Sequence, residues 1–225
     1  MKNLAMRWLE GWSAATGHPW SDEDGVIRIE ALMASRRFEY LLVEPNDEEF
    51  DNITELIGGD SRDVFTVFTN KPAHYLVPHS GLVVDRDDEA LMTSPLSRTE
   101  APVPEDFALH WEDQGDRVSL QIVHRDELAA GGTLALVGHD AIFDRIETTP
   151  RYQRRGLGRF VMHALTNWAL DHGADLGILA ASADGQALYA TLGWHSECAM
   201  LMFRGTLDAV VGRADASSPV DASLG

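Results

Sequence analysis

A single cysteine, Cys198, and two lysines, Lys2 and Lys71, are the scarcest chemistry in this chain of 225 residues. One thiol closes no internal disulfide, and no Cys/His group has zinc-ligand spacing. Disulfide scaffolds and structural metal centres are therefore excluded, no metal is expected, and a reducing, cytoplasmic setting is the default. No run approaches the ~18 consecutive apolar residues of a membrane-spanning helix. The opening MKNLAMRWLEGWS is interrupted by Arg7 and Glu10 and does not read as a secretory signal. Positive charge is scarce too: 18 basic residues face 36 acids, for a formal net charge of −18. Such a balance repels nucleic acid and anionic membranes at long range. It speaks first for solubility and leans weakly toward a cationic amine as partner.

What is present points to one large or two small α/β units. Leu4, Trp8 and Trp12 recur at helical spacing and predict an amphipathic helix over 3–15. RRFEYLLVEP reads as a strand. NDEEFDNITELIGG reads as a helix capped by Asn46 or Asp47, with Phe50, Ile53 and Ile57 on one face and Gly58-Gly59 as its stop. DVFTVFT alternates as a strand, and GLVVDRDDEALMT reads as two short strands around an acidic turn. Residues 94–106, with three prolines, are the linker candidate. FALHW, RVSLQIV, TLALV and AIFDRIET follow as an antiparallel meander, then helix, strand, helix, strand to about Phe203. The domain division expected is an N-terminal α/β region over 1–93, the linker, a second domain over 107–207 and a disordered tail over 208–225.

Against the acidic background, RYQRRGLGRF (151–160) holds four arginines around Gly156 and Gly158. A strand ending at Pro150 precedes it. A helix from Gly156 to about His172 follows, with Phe160, Val161, Leu165 and Ala169 on its apolar face. The stretch is thus a strand-to-helix turn. The first N–H groups of a helix lack intrahelical partners and, with the dipole, attract anions. Glycines let a phosphate approach, and arginines add bidentate donors. Arg159-Phe160 after Gly158 rules out a Walker A loop, and Val161 breaks the dinucleotide fingerprint. A glycine turn with solvated arginines and a basic loop for nucleic acid remain as alternatives.

TPRYQRRGLGRFVMHAL resembles motif A of the GCN5-related N-acetyltransferase (GNAT) superfamily, and SADGQALYATLGW resembles its second signature, over about 107–205. The resemblance implies a GNAT-like α/β fold (α+β type), a mixed and mostly antiparallel central sheet flanked by helices. The first two family helices would be displaced or replaced. It implies acetyl-CoA as acyl donor and N-acetylation of a small-molecule or peptide amine, with no nucleic acid or membrane partner. A homodimer stays open. The N-terminal region would form the acceptor side or a degenerate GNAT-like half. The alternative is a non-catalytic CoA-binding or interaction module on the same fold.

Carried over by motif, Ile146, Glu147 and Thr148 would pair with the pantetheine arm. The amides of Gln153, Arg154, Arg155, Gly156, Leu157, Gly158 and Arg159 would hold the pyrophosphate. Ser182 stands where the family often has asparagine, and Gly185 where it commonly has alanine. Tyr189 would protonate the departing thiolate. For the base, Asp144 and Glu147 are candidates on the central strand. Strict alternation puts them on opposite faces, Asp144 beside Ile142 and Thr148. His110, His139 and Asp140 are further candidates, and a water relay would need none of them.

Overall fold

The computed structural model describes residues 1–206 except Asp24 and Gly59; the tail expected over 208–225 lies outside the described residues. The chain opens with helix α1 (Lys2–Thr16), then strands β1 (Trp20–Glu23), β2 (Val26–Met33) and β3 (Arg36–Val43), helix α2 (Asp47–Ile57), β4 (Val64–Thr69), a single turn α3 (Pro72–Tyr75) and β5 (Leu82–Pro95). The second half holds β6 (Ala108–Asp113), β7 (Arg117–His124), β8 (Glu127–Val137), β9 (Asp140–Thr148), a 3-10 turn (Pro150–Tyr152), α4 (Leu157–Asp171), β10 (Leu176–Ala181), α5 (Ala183–Ala190) and β11 (His195–Gly205).

The helices form where local chemistry demands them. Asn46 caps α2: its side chain accepts from the Glu49 N–H at 2.9 Å, and the Glu49 carboxylate accepts from the Asn46 N–H at 2.8 Å. Phe50, Ile53 and Ile57 are the buried face of α2. The periodicity over 3–15 corresponds to α1, which ends at Gly17 in the left-handed region. The strands depart further from expectation. GLVVDRDDEALMT is not two strands but one, β5, because β11 pairs along it from Leu82 to Thr93. β5 also runs two residues into the expected linker, as far as Pro95. Strands β1 and β2 occupy a stretch the sequence pattern left without an assignment.

Among the described residues, all strands join one sheet in the order β1-β2-β3-β4-β11-β5-β10-β9-β8-β7-β6. The order is similar on either side of the β11/β5 pair. Across it β4 matches β10, β3 matches β9, β2 matches β8 and β1 matches β7. The parallel pair β3/β4 corresponds to the parallel pair β9/β10. The two central strands are exchanged between halves. Met92 of β5 packs in the core under α4, with Leu120, Val161 and Leu165. Phe203 of β11 packs in the core under α2, with Phe50, Phe65 and Ile57.

Helix α1 lies on the opposite face from α4. Its Trp8 and Leu9 join Phe68, Leu91, Ile142 and Ile178 in a third core that spans both halves. Arg7 grips the buried Asp140 through two bonds, Nε donating at 2.6 Å. The helix sits close enough to β9 that a Cβ at Gly11 would stand 2.3 Å from the Ile142 side chain and 2.8 Å from its Cβ. Gly11→Ala would gain about 1 kcal/mol in an exposed helix. Here it is expected instead to cost about 1–3 kcal/mol by overpacking. Urea unfolding of the variant checks this, and unchanged or increased stability would contradict the close approach.

Candidate active site

The site forms where the central parallel pair comes apart. β9 and β10 pair only from Asp140↔Leu176 to Phe143↔Leu179, although β9 continues to Thr148 and β10 to Ala181. The cause sits at the next residue. On the other edge of β9, Asp144 pairs with Thr133 but Glu147 pairs with Gly131, so one residue of β8 opposes two of β9. Arg145, inside this bulge, takes φ 52°. Bulges bend a strand and sharpen its twist. The β10-facing backbone of residues 144–148 is left without a partner strand, as the expected pantetheine contacts at Ile146, Glu147 and Thr148 require.

The bulge corrects one expectation. Thr133 and Gly131 are two apart on β8, so their partners Asp144 and Glu147 share a face instead of opposing each other. That face is the one carrying α1, since Ile142 packs with α1 and Phe143 with α4. Thr148, paired with the buried Ala130, falls on the other face and is not beside Asp144. Strict alternation failed because one extra residue shifted its phase.

Burial raises the pKa of Asp144 above the usual carboxylate range. Arg145, the Arg145 N–H and Arg117 oppose that rise, and Glu147 adds to it. The carboxylate meets the Arg145 Nε at 3.5 Å. Tyr189, on α5, is 6% exposed, and its ring packs on Trp194 at 6.0 Å. Trp194 in turn meets Phe143 edge-on at 5.3 Å. Burial, with the charge of Asp144 behind it, pushes the Tyr189 hydroxyl up to about 12. That hydroxyl makes no hydrogen bond among the described residues. A carboxylate that binds protons readily and a phenol that stays protonated thus influence each other at the parted strands.

Beyond β9 the chain turns into α4. Gly156 caps the helix with φ 78°, a conformation other L-residues resist, and a Cβ there would meet nothing within 4 Å. Arg154 is also left-handed, φ 62°. The N–H groups of Arg154 through Arg159 find no acceptor among the described residues; the first helical bond is Phe160 N–H to the Gly156 carbonyl at 3.0 Å. The Gln153 N–H is already used, by the Pro150 carbonyl at 3.3 Å, so the free run begins one residue later than expected. Residues 153–156 are exposed, and the helix mouth is open.

The arginines are partly engaged. Arg151 pairs with Glu127 and lies over the Tyr152 ring at 4.9 Å, Arg155 lies over the same ring at 5.4 Å, and Arg159 donates to Thr191 at 3.2 Å. Tyr152, 2% exposed, anchors the loop by donating to Glu127 at 3.0 Å. Six consecutive unpaired donors, a left-handed cap and adjacent cations suit a diphosphate. That is a fit drawn from this chain's own backbone.

The remaining candidates hold other partners or positions. Ser182 is exposed and caps α5, accepting from the Gly185 N–H at 3.4 Å. Gly185 faces Tyr189, whose ring a Cβ would approach to 3.0 Å. Asp140 is committed to Arg7. His139 contacts the Gly173 carbonyl at 3.0 Å at the far end of β9. His110 stands on β6, three strands from β9. Arg145 and Tyr152 were not anticipated, because a bulge and a stacking anchor leave no local pattern.

Residues 86–194 match the model of the Acetyltransferase (GNAT) family. No curated protein matches the chain. Solved structures similar in fold include a GCN5-related N-acetyltransferase from Kribbella flavida, with TM-score 0.65 and 13% identity over 90% of this chain and 94% of that one. A GCN5-related N-acetyltransferase-like protein from Streptococcus suis aligns with TM-score 0.59 and 12% identity, over 89% of this chain and 93% of that one. A tandem GNAT protein from the clavulanic acid biosynthesis pathway aligns with TM-score 0.54 and 13% identity, over 79% and 77%. At these identities the likeness is one of fold. Among the described residues no helix is long and apolar enough to cross a membrane.

The pKa of Asp144 makes a signed prediction. A carboxyl raised by folding contributes stability below its unfolded value, near 3.9, and loses it as pH rises through the folded value. Asp144→Asn is therefore expected to be more stable than the parent at neutral pH, with the difference vanishing below about pH 4. Thermal unfolding across that range checks it, and an equal or lower stability at pH 7 would contradict the burial argument.

Proposed function

We propose, with a GNAT domain over residues 86–194 as the premise, that the chain is an acetyl-CoA-dependent N-acetyltransferase with one cofactor site, in its C-terminal half. The observation that carries this reading is the run of unpaired N–H groups from Arg154 to Arg159, opening beside the gap between β9 and β10. Those amides, with Arg154 and its neighbours, would hold the diphosphate. The free β9 backbone at Ile146, Glu147 and Thr148 would hold the pantetheine arm. Acetyl-CoA, when bound, supplies an acetyl thioester, whose C–S bond gives way to an amine's C–N bond while the amine's proton ends on the thiol. Asp144 takes up the proton of the incoming amine, helped by its raised pKa. Tyr189 holds a proton at Oη beside the gap, available to a departing thiolate. A titratable carboxyl and a buried phenol, each beside the parted strands and electrostatically coupled, favour this reading over a purely non-catalytic CoA-binding module.

The N-terminal half is read as a degenerate copy. At the position matching the arginine loop, α2 has its own capping box and Asp47, Glu48 and Glu49 in its first turn. At the position matching Asp144, Glu44 closes the strand pair, accepting from the Asn70 N–H at 2.6 Å and from Thr69 at 3.0 Å. The cap takes up the Glu49 and Asn46 N–H groups, and the first-turn charge is of the wrong sign for phosphate.

Calorimetry with acetyl-CoA is accordingly expected to give one site per chain, and Gly156→Val to abolish it by strain and by filling the helix mouth. Two sites, or undiminished binding by Gly156→Val, would contradict the assignment. Tyr189→Phe is expected to lower kcat by about 10²-fold, within the usual range for a general acid, with cofactor affinity little changed. Unchanged kcat would remove Tyr189 from the chemistry.

A further inference from the structure

On the α1 face, over β7, β8 and β9, lies a cavity of about 430 Å³, within the ~300–1,000 Å³ typical of small-molecule sites. It borders the bulge. Ser119 and Gln121 of β7, Thr133 of β8, and Arg145 and Glu147 of β9 line it. The side chains of Ser119, Gln121 and Thr133 make no hydrogen bond to protein among the described residues, so the floor is polar and uncommitted. Its charge is mixed, unlike the net charge of −18 for the chain. Glu147 and the neighbouring Asp144 supply carboxylates, and Arg145 supplies a guanidinium. Arg145 reaches this floor only through its left-handed backbone, φ 52°. Such strain in a non-glycine residue persists where the surroundings require it. Its side chain is 59% exposed, and its one ion pair among the described residues, to Asp144, spans 3.5 Å through Nε alone. The two terminal nitrogens of the fork are left for a ligand.

We infer that the acceptor of the proposed transferase is a small amine bearing an anionic group, a carboxylate or a phosphate, with the amine toward Asp144 and Glu147 and the anion on the Arg145 fork. This deepens the transferase reading and rests on it. It reverses the lean toward a cationic amine that net charge alone suggests. A polyamine would place a second cation against Arg145, whereas a zwitterion satisfies both signs of the floor.

The full chain is assayed for thiol release from acetyl-CoA with matched acceptors: glycine against glycinamide, β-alanine against its amide, and O-phosphoethanolamine against ethanolamine, with spermidine alongside. The anionic member of a pair is expected to exceed its neutral partner in kcat/KM by about tenfold or more, the scale of a charge-assisted bond. Whether the carboxylate pairs or the phosphate pair show it identifies the anion. Arg145→Gln should collapse that ratio, and Arg145→Lys, which keeps the charge but not the fork, should restore part of it. Preference for spermidine or for the neutral members, or a ratio unchanged in Arg145→Gln, overturns the inference. So does thiol release with none of these acceptors while calorimetry still shows acetyl-CoA bound. Absence of acetyl-CoA binding instead overturns the transferase reading beneath it.

Discussion

One extra residue in β9 organises the site. Pairing between β9 and β10 stops at Phe143, and the bulge begins at the next residue. From that single irregularity follow the free backbone edge of β9, the shared face of Asp144 and Glu147, and the lift of Arg145 onto the same floor. A regular strand would have zipped against β10 and left no room for an extended ligand. The helix mouth at Gly156 completes the arrangement by presenting donors without an acceptor among the described residues. In the proposed reading, cofactor and acceptor would approach one opened seam of the sheet from its two faces.

The similar strand order of the two halves makes their differences at corresponding positions legible. Both halves carry the same strand directions and a helix crossing between two parallel strands. In the N-terminal half the cap of α2 is satisfied by Asn46 and Glu49, and Glu44 fills the seam. From this half, β5 contributes Met92 to the C-terminal core, and α1 packs on the sheet face of Ile142. Because β5 and β11 are exchanged, neither half can bury its own core alone.

Local patterns made much of this legible in the sequence. The faces of α1, α2 and α4 follow from apolar spacing, and the arginine–glycine turn announces itself by composition. The motifs expected to hold the cofactor loop and Tyr189 lie in the part that the family model matches. Long-range pairing was illegible. DRDDE reads as a turn until β11 is laid beside it, and the exchange of two strands has no local signature. The bulge leaves no local pattern either, and its phase shift of one residue moves Glu147 to the face of Asp144. The Arg7–Asp140 bond, spanning 133 residues, likewise belongs to the tertiary fold.

The central claim is that backbone amides at the mouth of α4 grip a diphosphate. Backbone amide NMR during titration with acetyl-CoA addresses it most directly. The account predicts the largest shifts at Arg154 through Arg159, with further changes at Ile146 to Thr148 and none at Asp47 to Glu49 of α2. Saturation of binding with those loop amides unmoved, or with the changes centred on the N-terminal half, would contradict it.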